Sequence, residues 1–158
     1  MEKKQTYRRG DIYLAELGSY FGSEQGGTRP VLILQNDVGN RYSPTLIVAP
    51  LTGNPRKSSH LPTHCRIETR EKLLCPSVVM LEQITTIDKS RVLDFMGRLD
   101  DNEMKQVKWA VEISLGLRET GIPQKEPMNS TQRDKYNGSG CLDMTAYLAM
   151  RNVERRGG

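Results

Sequence analysis

Residues 10–98 are divided into short apolar segments, each bounded by glycine, proline, asparagine or aspartate. Short apolar-rich segments separated by turn residues are typical of β-strands. Between two of them, residues 36–40 are dense in residue types that tolerate a left-handed backbone, which predicts a turn. We therefore predict strands over residues 11–17, 31–35, 45–49, 63–68, 78–81 and 91–99.

One stretch with helical periodicity follows the strands. Its apolar residues recur every three or four positions: Met104, Val107, Ala110, Val111, Ile113, Leu115 and Leu117. Asp100 or Asp101 is placed to cap this helix, with Glu103 in its first turn, and Gly121 followed by Pro123 predicts its end. Strands followed by a terminal helix indicate the α+β class.

The composition changes after this helix. Residues 122–140 are rich in proline, glycine, serine and asparagine, which is typical of a flexible linker. Residues 142–153 carry a short helical pattern, and an isolated helix of this length is only marginally stable in water. We predict a folded domain over residues 1–121 and a flexible C-terminal extension over residues 122–158.

Charge and hydropathy exclude several classes of protein. The 158 residues include 23 Lys and Arg against 19 Asp and Glu, a net charge of +4, which an ordinary solvated surface explains better than a dedicated polyanion site. The longest apolar runs have four residues, whereas a membrane-spanning helix needs roughly 20. No secretory signal opens the chain, and three cysteines without CxxC spacing indicate neither a disulfide framework nor a zinc cluster. We expect a cytoplasmic protein.

Several familiar catalytic arrangements are missing from the sequence. There is no GxSxG elbow and no phosphate loop of the GxxxxGK[ST] type. His60 and His64 are separated by Pro62, which argues against the helix that would bring both onto one metal ion. Cys65 adjoins His64, but neighbouring residues of a strand face opposite sides. Neither a metal site nor a catalytic cysteine is predicted.

The polar loop over residues 21–29 combines glycines, hydroxyl groups, an aromatic ring and Arg29 immediately before a strand. The planar guanidinium group of arginine matches phosphate oxygens, and glycine amides can approach a phosphate closely. Taken alone, an arginine in such a loop is more often a solvated charge.

A series of short motifs runs through the chain in order. They are RGDIY at 9–13, GSEQGGTRPVL at 22–32, QND at 35–37, NR at 40–41, SPT at 43–45, LPTH at 61–64, LEQI at 81–84 and TID at 86–88. In this order and spacing they resemble the MazF/PemK family of toxin ribonucleases, most closely the Gram-positive branch called MazF or EndoA. The resemblance covers residues 8–119, and the segment from residue 122 has no counterpart in the family pattern.

The resemblance implies a small SH3-like β-barrel of the CcdB/MazF type with a C-terminal helix, acting as a homodimer. It implies a sequence-specific, metal-independent endoribonuclease that cuts single-stranded mRNA and needs no cofactor. Such a protein is the toxin of a type II toxin–antitoxin system, and its partner is a cognate acidic antitoxin resembling MazE, part of which lies across the RNA groove.

Carried over by position, the family's catalytic arginine falls on Arg29 and its catalytic threonine on Thr52. Both can donate hydrogen bonds to a phosphoryl oxygen on which negative charge grows. Arginine is a poor general base at neutral pH, so Glu24 or His64 is a candidate helper in proton transfer. Residues 53–60 are the least regular part of the match, and this loop contributes to the choice of RNA sequence.

Recognition of single-stranded RNA needs faces for unstacked bases and hydrogen bonds to base edges. Phe21 and Leu61 can offer faces, although each is also compatible with a place in the core. The candidate hydrogen-bonding residues are Ser23, Glu24, Gln25, Asn36 and Gln83; for Gln83 the alternative is a cap at the end of a strand.

Two other interpretations remain open from the sequence. A CcdB-like toxin has the same barrel but binds DNA gyrase and cuts no RNA. The second interpretation is a MazF-like domain whose own C-terminal extension covers its RNA groove. It rests on the apolar side of residues 142–153, which follows a flexible linker. An extension without any role is a simpler reading of residues 122–158.

Overall fold

The computed structural model describes residues 6–53 and 61–118. Within these ranges the chain forms seven strands and two α-helices, α1 (Asp37–Tyr42) and α2 (Asp101–Ser114), with 3-10 helices over Leu81–Gln83 and Lys89–Arg91. The strands are β1 (Asp11–Glu16), β2 (Thr28–Ile33), β3 (Thr45–Thr52), β4 (His64–Ile67), β5 (Ser77–Met80), β6 (Thr85–Asp88) and β7 (Val92–Arg98). This confirms the predicted α+β class.

The strands pair antiparallel in the order β4-β5-β3-β2-β1-β7, and β6 pairs with β3 outside this path. β3 changes partners along its length: its first four residues pair with β6, and Leu51 and Thr52 pair with β5. The opposite edge of β3 pairs with β2. Because β3 is shared in this way, the sheet curves into a barrel-like form.

One face of the central strands packs around Tyr13. Its ring meets Tyr7 and Phe95 edge-on, with ring centroids 5.3 and 5.4 Å apart. The same buried cluster contains Ala15, Val31, Ile33, Leu46, Val48 and Ile87. Ile12, Leu14 and Leu32, which alternate with cluster residues along β1 and β2, are also fully buried. Burial of each such side chain contributes about 1.5–3 kcal/mol, so β1 and β2 are a rigid support for residues at their ends.

Helix α2 begins as predicted and ends earlier. Asp100 accepts from the backbone N–H groups of Asn102 and Glu103, and the Glu103 carboxylate accepts from the backbone N–H of Asp100, which completes a capping box. The prediction of an end at Gly121 is wrong. The helix stops at Ser114 because Gly116 takes a φ of +67°, and the next N–H bonds back to the Glu112 carbonyl in a Schellman motif.

Two apolar positions of the predicted helix face are exposed. Leu115 is 58% and Leu117 is 72% exposed, because both follow the last helical residue. Val107 and Ala110 are the buried residues of α2, and the Ser114 hydroxyl donates to the Leu81 carbonyl at 2.8 Å. The helix therefore packs, from its middle to its last residue, against β4 and the 3-10 helix over Leu81–Gln83.

Two elements differ from the sequence prediction. The turn predicted over residues 36–40 is in fact the start of α1, which Asn36 caps by accepting from the Gly39 N–H. β6 was not predicted, since Ile87 is its one buried residue and its apolar pattern is weak. The domain boundary at residue 121 and the helix over 142–153 lie outside the described residues.

Two of the three cysteines lie within the described ranges. Cys65 is buried and free, and burial raises the pKa of its thiol to about 11, so it is not a nucleophile at neutral pH. Cys75 is disulfide-bonded, which the spacing does not predict because spacing indicates only frameworks of several bridges. No helix in residues 6–53 and 61–118 is long and apolar enough to cross a bilayer.

Candidate active site

Arg29 and Thr52 lie at equivalent positions of neighbouring strands. The antiparallel register of β2 and β3 pairs Val31 with Pro50 and runs through three residue pairs. The ladder pairs stop there; if the same register is continued by two residues, Arg29 aligns with Thr52. Residues two apart in a strand share a face, so by this alignment the two residues that the resemblance assigns to catalysis are expected on one face of the sheet.

The β2–β3 ladder ends just before this pair. Proline carries no N–H to donate, and Pro30 and Pro50 stand where the ladder stops. Beyond Pro50, β3 pairs with β5 along its other edge, with Thr52 opposite Val78. The two strands are thus not joined by ladder hydrogen bonds at the level of Arg29. We call this place, between Arg29 and Thr52, the active-site cleft.

The Arg29 guanidinium is half-buried and held by neutral oxygens. Its Nε donates to the Gly26 carbonyl at 2.8 Å, and Nη1 donates to Gln25 Oε1 at 2.5 Å. Burial lowers the pKa of Arg29, and Tyr20 acts weakly in the opposite direction. None of the ion pairs within residues 6–53 and 61–118 includes Arg29. A partly desolvated cation without a carboxylate beside it is well placed to bind an anion.

The loop that supplies these oxygens has a fixed base. The Leu17 N–H donates to the Gly27 carbonyl at 2.9 Å, and the Gly27 N–H donates to the Gly18 carbonyl at 2.8 Å. A Cβ on Gly26 would lie 2.5 Å from the Tyr20 ring and 2.9 Å from the Gly18 oxygen. Only glycine fits at position 26, so the carbonyl that holds Arg29 depends on this residue.

The tip of the loop presents an aromatic ring to solvent. Phe21 is 85% exposed, and its N–H donates to Glu24 Oε2 at 3.0 Å while its carbonyl accepts from the Glu24 N–H at 3.1 Å. Leu61 is 46% exposed. The alternative that Phe21 and Leu61 are core residues is therefore wrong, and both remain available to bases.

Gln83 joins this loop from a distant part of the chain. Its Nε2 donates to the Ser23 carbonyl at 3.3 Å, and buried Leu81 anchors the 3-10 helix that carries it. Five of the predicted RNA-binding residues thus lie on the loop before Arg29 or bond to it: Phe21, Ser23, Glu24, Gln25 and Gln83.

His64 belongs to a small polar network at the start of β4. Its Nε2 lies 2.9 Å from Glu82 Oε1, and the Thr63 hydroxyl donates to Glu82 Oε2 at 3.1 Å. β5 separates β4 from β3, so His64 lies about 10 Å from the strand of Thr52. The sequence did not indicate the roles of Glu82 and Thr63 beside His64, although Glu82 stands in the LEQI motif next to Gln83. It also did not indicate the electrostatic interaction of Tyr20 with Arg29.

Asn36 lies at the other end of β2 from Arg29. It follows β2, whereas Arg29 lies near the first residue of that strand, so the two are roughly 20 Å apart at about 3.3 Å per residue. Its Oδ1 accepts from the Gly39 N–H at 2.8 Å as the cap of α1. An open cavity of about 460 Å³ at this end is lined by residues that include Asn40 and Lys89, and by neither Arg29 nor Thr52. Asn36 therefore has a structural role in α1.

No cluster of three or more histidine, cysteine or acidic side chains with metal-binding geometry occurs among residues 6–53 and 61–118. The chemistry available in the cleft is hydrogen bonding and charge stabilisation by a guanidinium and a hydroxyl.

Comparison with known proteins bears on the family and the fold. Residues 8–115 match the family described as PemK-like, MazF-like toxin of type II toxin-antitoxin system. Endoribonuclease MazF of Staphylococcus saprophyticus is 55% identical over 111 residues, which cover 70% of this chain and 92% of the relative. Among solved structures, the Mycobacterium tuberculosis toxin MazF-mt6 superposes with a TM-score of 0.58 at 25% identity, covering 69% of this chain and 99% of that one.

Two further structures support the fold alone. A mycobacterial endoribonuclease in complex with its cognate antitoxin gives a TM-score of 0.60 at 24% identity, covering 72% of this chain and 99% of that one. MazF from Deinococcus radiodurans gives 0.59 at 20% identity, with the same coverage. Because the family match spans more than half of its length, the chain belongs to the PemK-like, MazF-like toxins of type II toxin–antitoxin systems.

Proposed function

We propose that this toxin is a sequence-specific endoribonuclease that cuts single-stranded mRNA without a metal ion, using Arg29 and Thr52. Endoribonuclease activity itself follows from the family and from the 55% identity to Endoribonuclease MazF. One observation carries the residue assignment. The Arg29 guanidinium is half-buried and bonds to neutral oxygens, and a two-residue extension of the β2–β3 register aligns it with Thr52.

The chain's residues suit cleavage by the RNA's own 2′-hydroxyl. That oxygen attacks the adjacent phosphorus and forms a new P–O bond, while the bond from phosphorus to the 5′-oxygen of the next nucleotide breaks. The products are a 2′,3′-cyclic phosphate and a 5′-hydroxyl. Arg29 and Thr52 donate to the phosphoryl oxygens as negative charge grows, and losing one such donor lowers the rate about 10²–10³-fold.

Two protons must move in this reaction. The attacking 2′-hydroxyl loses one, and the departing 5′-oxygen gains one. Arg29 stays protonated at neutral pH and is no base. Glu24 on the loop and His64, held by Glu82, are the two candidates. Glu24→Gln and His64→Gln distinguish them, because loss of the true general base removes the acidic limb of the pH–rate profile.

The exposed groups around the cleft suit unstacked bases. Phe21 and Leu61 offer apolar faces, and Ser23, Gln25 and Gln83 offer hydrogen bonds next to Arg29. Base contacts at these positions determine which short RNA motif is cut, together with the loop of residues 53–60.

We also propose the partners and location that the family makes expected. Structural relatives include a mycobacterial endoribonuclease in complex with its cognate antitoxin and a MazE–MazF complex from Deinococcus radiodurans. We propose that this chain acts in the cytoplasm as a homodimer and is inhibited by a cognate acidic antitoxin. Residues 1–121 carry the activity, so deletion of residues 122–158 leaves the cleavage rate unchanged. A higher rate would mean that the extension covers the RNA site.

The proposal is tested with a long single-stranded RNA in EDTA. Wild type is expected to cut at one short motif and to leave 5′-hydroxyl ends, and Arg29→Ala is expected to leave the RNA intact. Arg118→Ala is the matched control, because Arg118 is an exposed arginine that follows α2 and pairs with Glu112. An RNA with a 2′-deoxy sugar at the cut site must resist cleavage.

Cleavage by Arg29→Ala at the wild-type rate would contradict the assignment of this residue. Cutting of the 2′-deoxy RNA would contradict the 2′-hydroxyl mechanism. Nothing in the family match supports the alternative of a gyrase-binding toxin; that alternative predicts a folded protein that leaves every RNA intact.

A further inference from the structure

Gly26 is a buried position in a loop whose neighbouring residues are exposed or half-buried. Glycine has no side chain, so other groups must cover it. A Cβ added to Gly26 would lie 2.5 Å from Tyr20 Cδ1 and 2.7 Å from Tyr20 Cβ, whereas van der Waals contact between carbon atoms needs about 3.5–4.0 Å. The Tyr20 side chain therefore packs directly on the Gly26 Cα.

The peptide group between Gly26 and Gly27 holds Arg29 in place. Its carbonyl accepts from Arg29 Nε at 2.8 Å, and its N–H donates to the Gly18 carbonyl at 2.8 Å. A peptide group between two glycines rotates easily, because neither neighbour has a Cβ that restricts φ and ψ. Rotation would turn the carbonyl away from Arg29, and water competes for hydrogen bonds on an exposed loop. The orientation of Arg29 therefore depends on what packs against this peptide group.

We propose that Tyr20 is a positioning residue for RNA cleavage: its side chain, packed on Gly26, keeps the Gly26–Gly27 peptide in the orientation that directs Arg29 at the scissile phosphate. The inference rests on the proposed function and adds to it a residue that acts through Arg29 without touching the RNA. Tyr20 precedes the motif at residues 22–32, so the resemblance assigns it no role.

Tyr20 also lies within electrostatic range of Arg29. Burial lowers the pKa of Arg29, and the interaction with Tyr20 raises it. Tyr20 is 64% exposed, so only its Cβ and one edge of its ring contact Gly26. A phenylalanine at position 20 retains this ring edge, whereas an alanine loses it. The two substitutions therefore separate the packing contact from the hydroxyl group.

The first test measures single-turnover cleavage at saturating RNA. Tyr20→Ala is expected to lower the rate about tenfold, because a misdirected guanidinium stabilises the growing charge less well than an aligned one. Tyr20→Phe is expected to stay within about twofold of wild type, since it keeps the packing contact. Tyr42→Ala is the matched control and is expected to have no effect, because Tyr42 is a 74% exposed tyrosine on α1.

Binding distinguishes positioning from direct contact with RNA. The Kd for an RNA with a 2′-deoxy sugar at the cut site is expected to be the same for Tyr20→Ala and wild type within about twofold. A weaker Kd with an unchanged cleavage rate would mean that the ring binds a base, and it would overturn the proposal. A wild-type rate in Tyr20→Ala would overturn it as well.

A second measurement needs no RNA. Exchange of the Arg29 Nε–H with solvent, followed by NMR, reports how firmly the Gly26 carbonyl holds this group. Tyr20→Ala is expected to speed the exchange about fivefold, while Tyr20→Phe and Tyr42→Ala leave it unchanged. Backbone amides of β1 and β2 are expected to exchange as in wild type. Equal acceleration of these amides would indicate general loosening of the fold and would contradict a specific role of Tyr20.

A double substitution tests whether Tyr20 acts through Gly26. Gly26→Ala disturbs the same contact from the other side, because its Cβ meets both Tyr20 and the Gly18 carbonyl. Tyr20→Ala is expected to lower the cleavage rate less in Gly26→Ala than in wild type, and fully additive effects would overturn the proposal. If wild type cuts no RNA, the proposed function fails, and Nε–H exchange still tests Tyr20. If wild type cuts RNA and Tyr20→Ala matches it in rate and exchange, only the further inference fails.

Discussion

Two regions of this molecule contain a partly buried arginine. In one the guanidinium bonds to neutral oxygens, and in the other it is paired with a carboxylate. Arg29 bonds to the Gly26 carbonyl and the Gln25 side chain, both neutral. Arg70 donates to both carboxylate oxygens of Glu103, at 2.5 and 2.7 Å. Burial lowers the pKa of Arg29, whereas the hydrogen bonds to Glu103 raise the pKa of Arg70.

The difference separates a structural arginine from a functional one. At Arg70 the charge is balanced within the fold, and the pair joins the segment after β4 to the start of α2. At Arg29 the fold retains a desolvated charge with no carboxylate beside it among the described residues. Such a charge costs stability until an anion arrives, which is why this arrangement is found at binding and catalytic sites.

The largest expected effect comes from removing the unbalanced charge. Arg29→Ala is expected to lower kcat at least 10²–10³-fold and to change the free energy of unfolding by less than about 1 kcal/mol, because its acceptors can turn to water. Single-turnover RNA cleavage and urea denaturation measure the two quantities. A large loss of stability would show that Arg29 is structural, like Arg70.

The reverse result is expected at the balanced pair. Arg70→Ala leaves the Glu103 carboxylate unpaired and is expected to cost about 1–3 kcal/mol, below the usual range for buried pairs because both side chains keep about a fifth of their exposure. The cleavage rate of the folded fraction is expected to stay within about twofold of wild type. Loss of catalysis in fully folded Arg70→Ala would show that Arg70 takes part in RNA cleavage and is not only structural.

The balanced pair also predicts how stability depends on pH. Arg70 holds the pKa of Glu103 below its ordinary value, so this carboxylate is more acidic in the folded than in the unfolded chain. Its contribution is complete above the unfolded pKa of about 4.3 and is lost as pH falls through the lower, folded value. Denaturation curves between about pH 5 and pH 3 are therefore expected to be flatter for Glu103→Gln than for wild type. Parallel curves would contradict this assignment.

The smallest effects extend the comparison to two neutral side chains. Asn36→Ala removes the cap of α1 and is expected to cost about 1 kcal/mol of stability while RNA affinity stays unchanged. Gln83→Ala is expected to weaken RNA binding a few-fold and to leave stability within about 0.5 kcal/mol, since its contact with Ser23 is long and exposed. If both variants lost affinity equally, Asn36 would belong to the RNA site after all.

The sequence predicts the strands well and their pairing poorly. Apolar segments locate β1, β3, β4, β5 and β7 to within a few residues. α1 was not predicted, because its polar, glycine-containing sequence has the composition of a turn. The contact that stabilises it as a helix is the Asn36 cap. β6 is hidden because its hydrogen bonds to β3 stabilise a segment with a single buried residue, Ile87.

The candidate site residues come from the resemblance, which says nothing about their relative positions. The motif positions single out Arg29 and Thr52, but their alignment depends on the β2–β3 register, which the 22 residues between them do not encode locally. Glu82 and Tyr20 were not predicted for the same reason. Glu82 bonds to His64, 18 residues away, and Tyr20 interacts with Arg29 across a loop. The cap that Asn36 forms for α1 was likewise not predicted, because a motif match does not show which element end a residue occupies, and its contact with RNA stays a prediction.

Glu103 links two stages of folding. The same carboxylate accepts from the Asp100 N–H three residues away and from Arg70, 33 residues away. The near contact can form as soon as the first turn of α2 appears, whereas the distant one requires the segment after β4 to be in place. We therefore expect α2 to gain its N-terminal turn early and to be locked in position late. In kinetic terms, Arg70→Ala should mainly speed unfolding, and Glu103→Gln should also slow refolding.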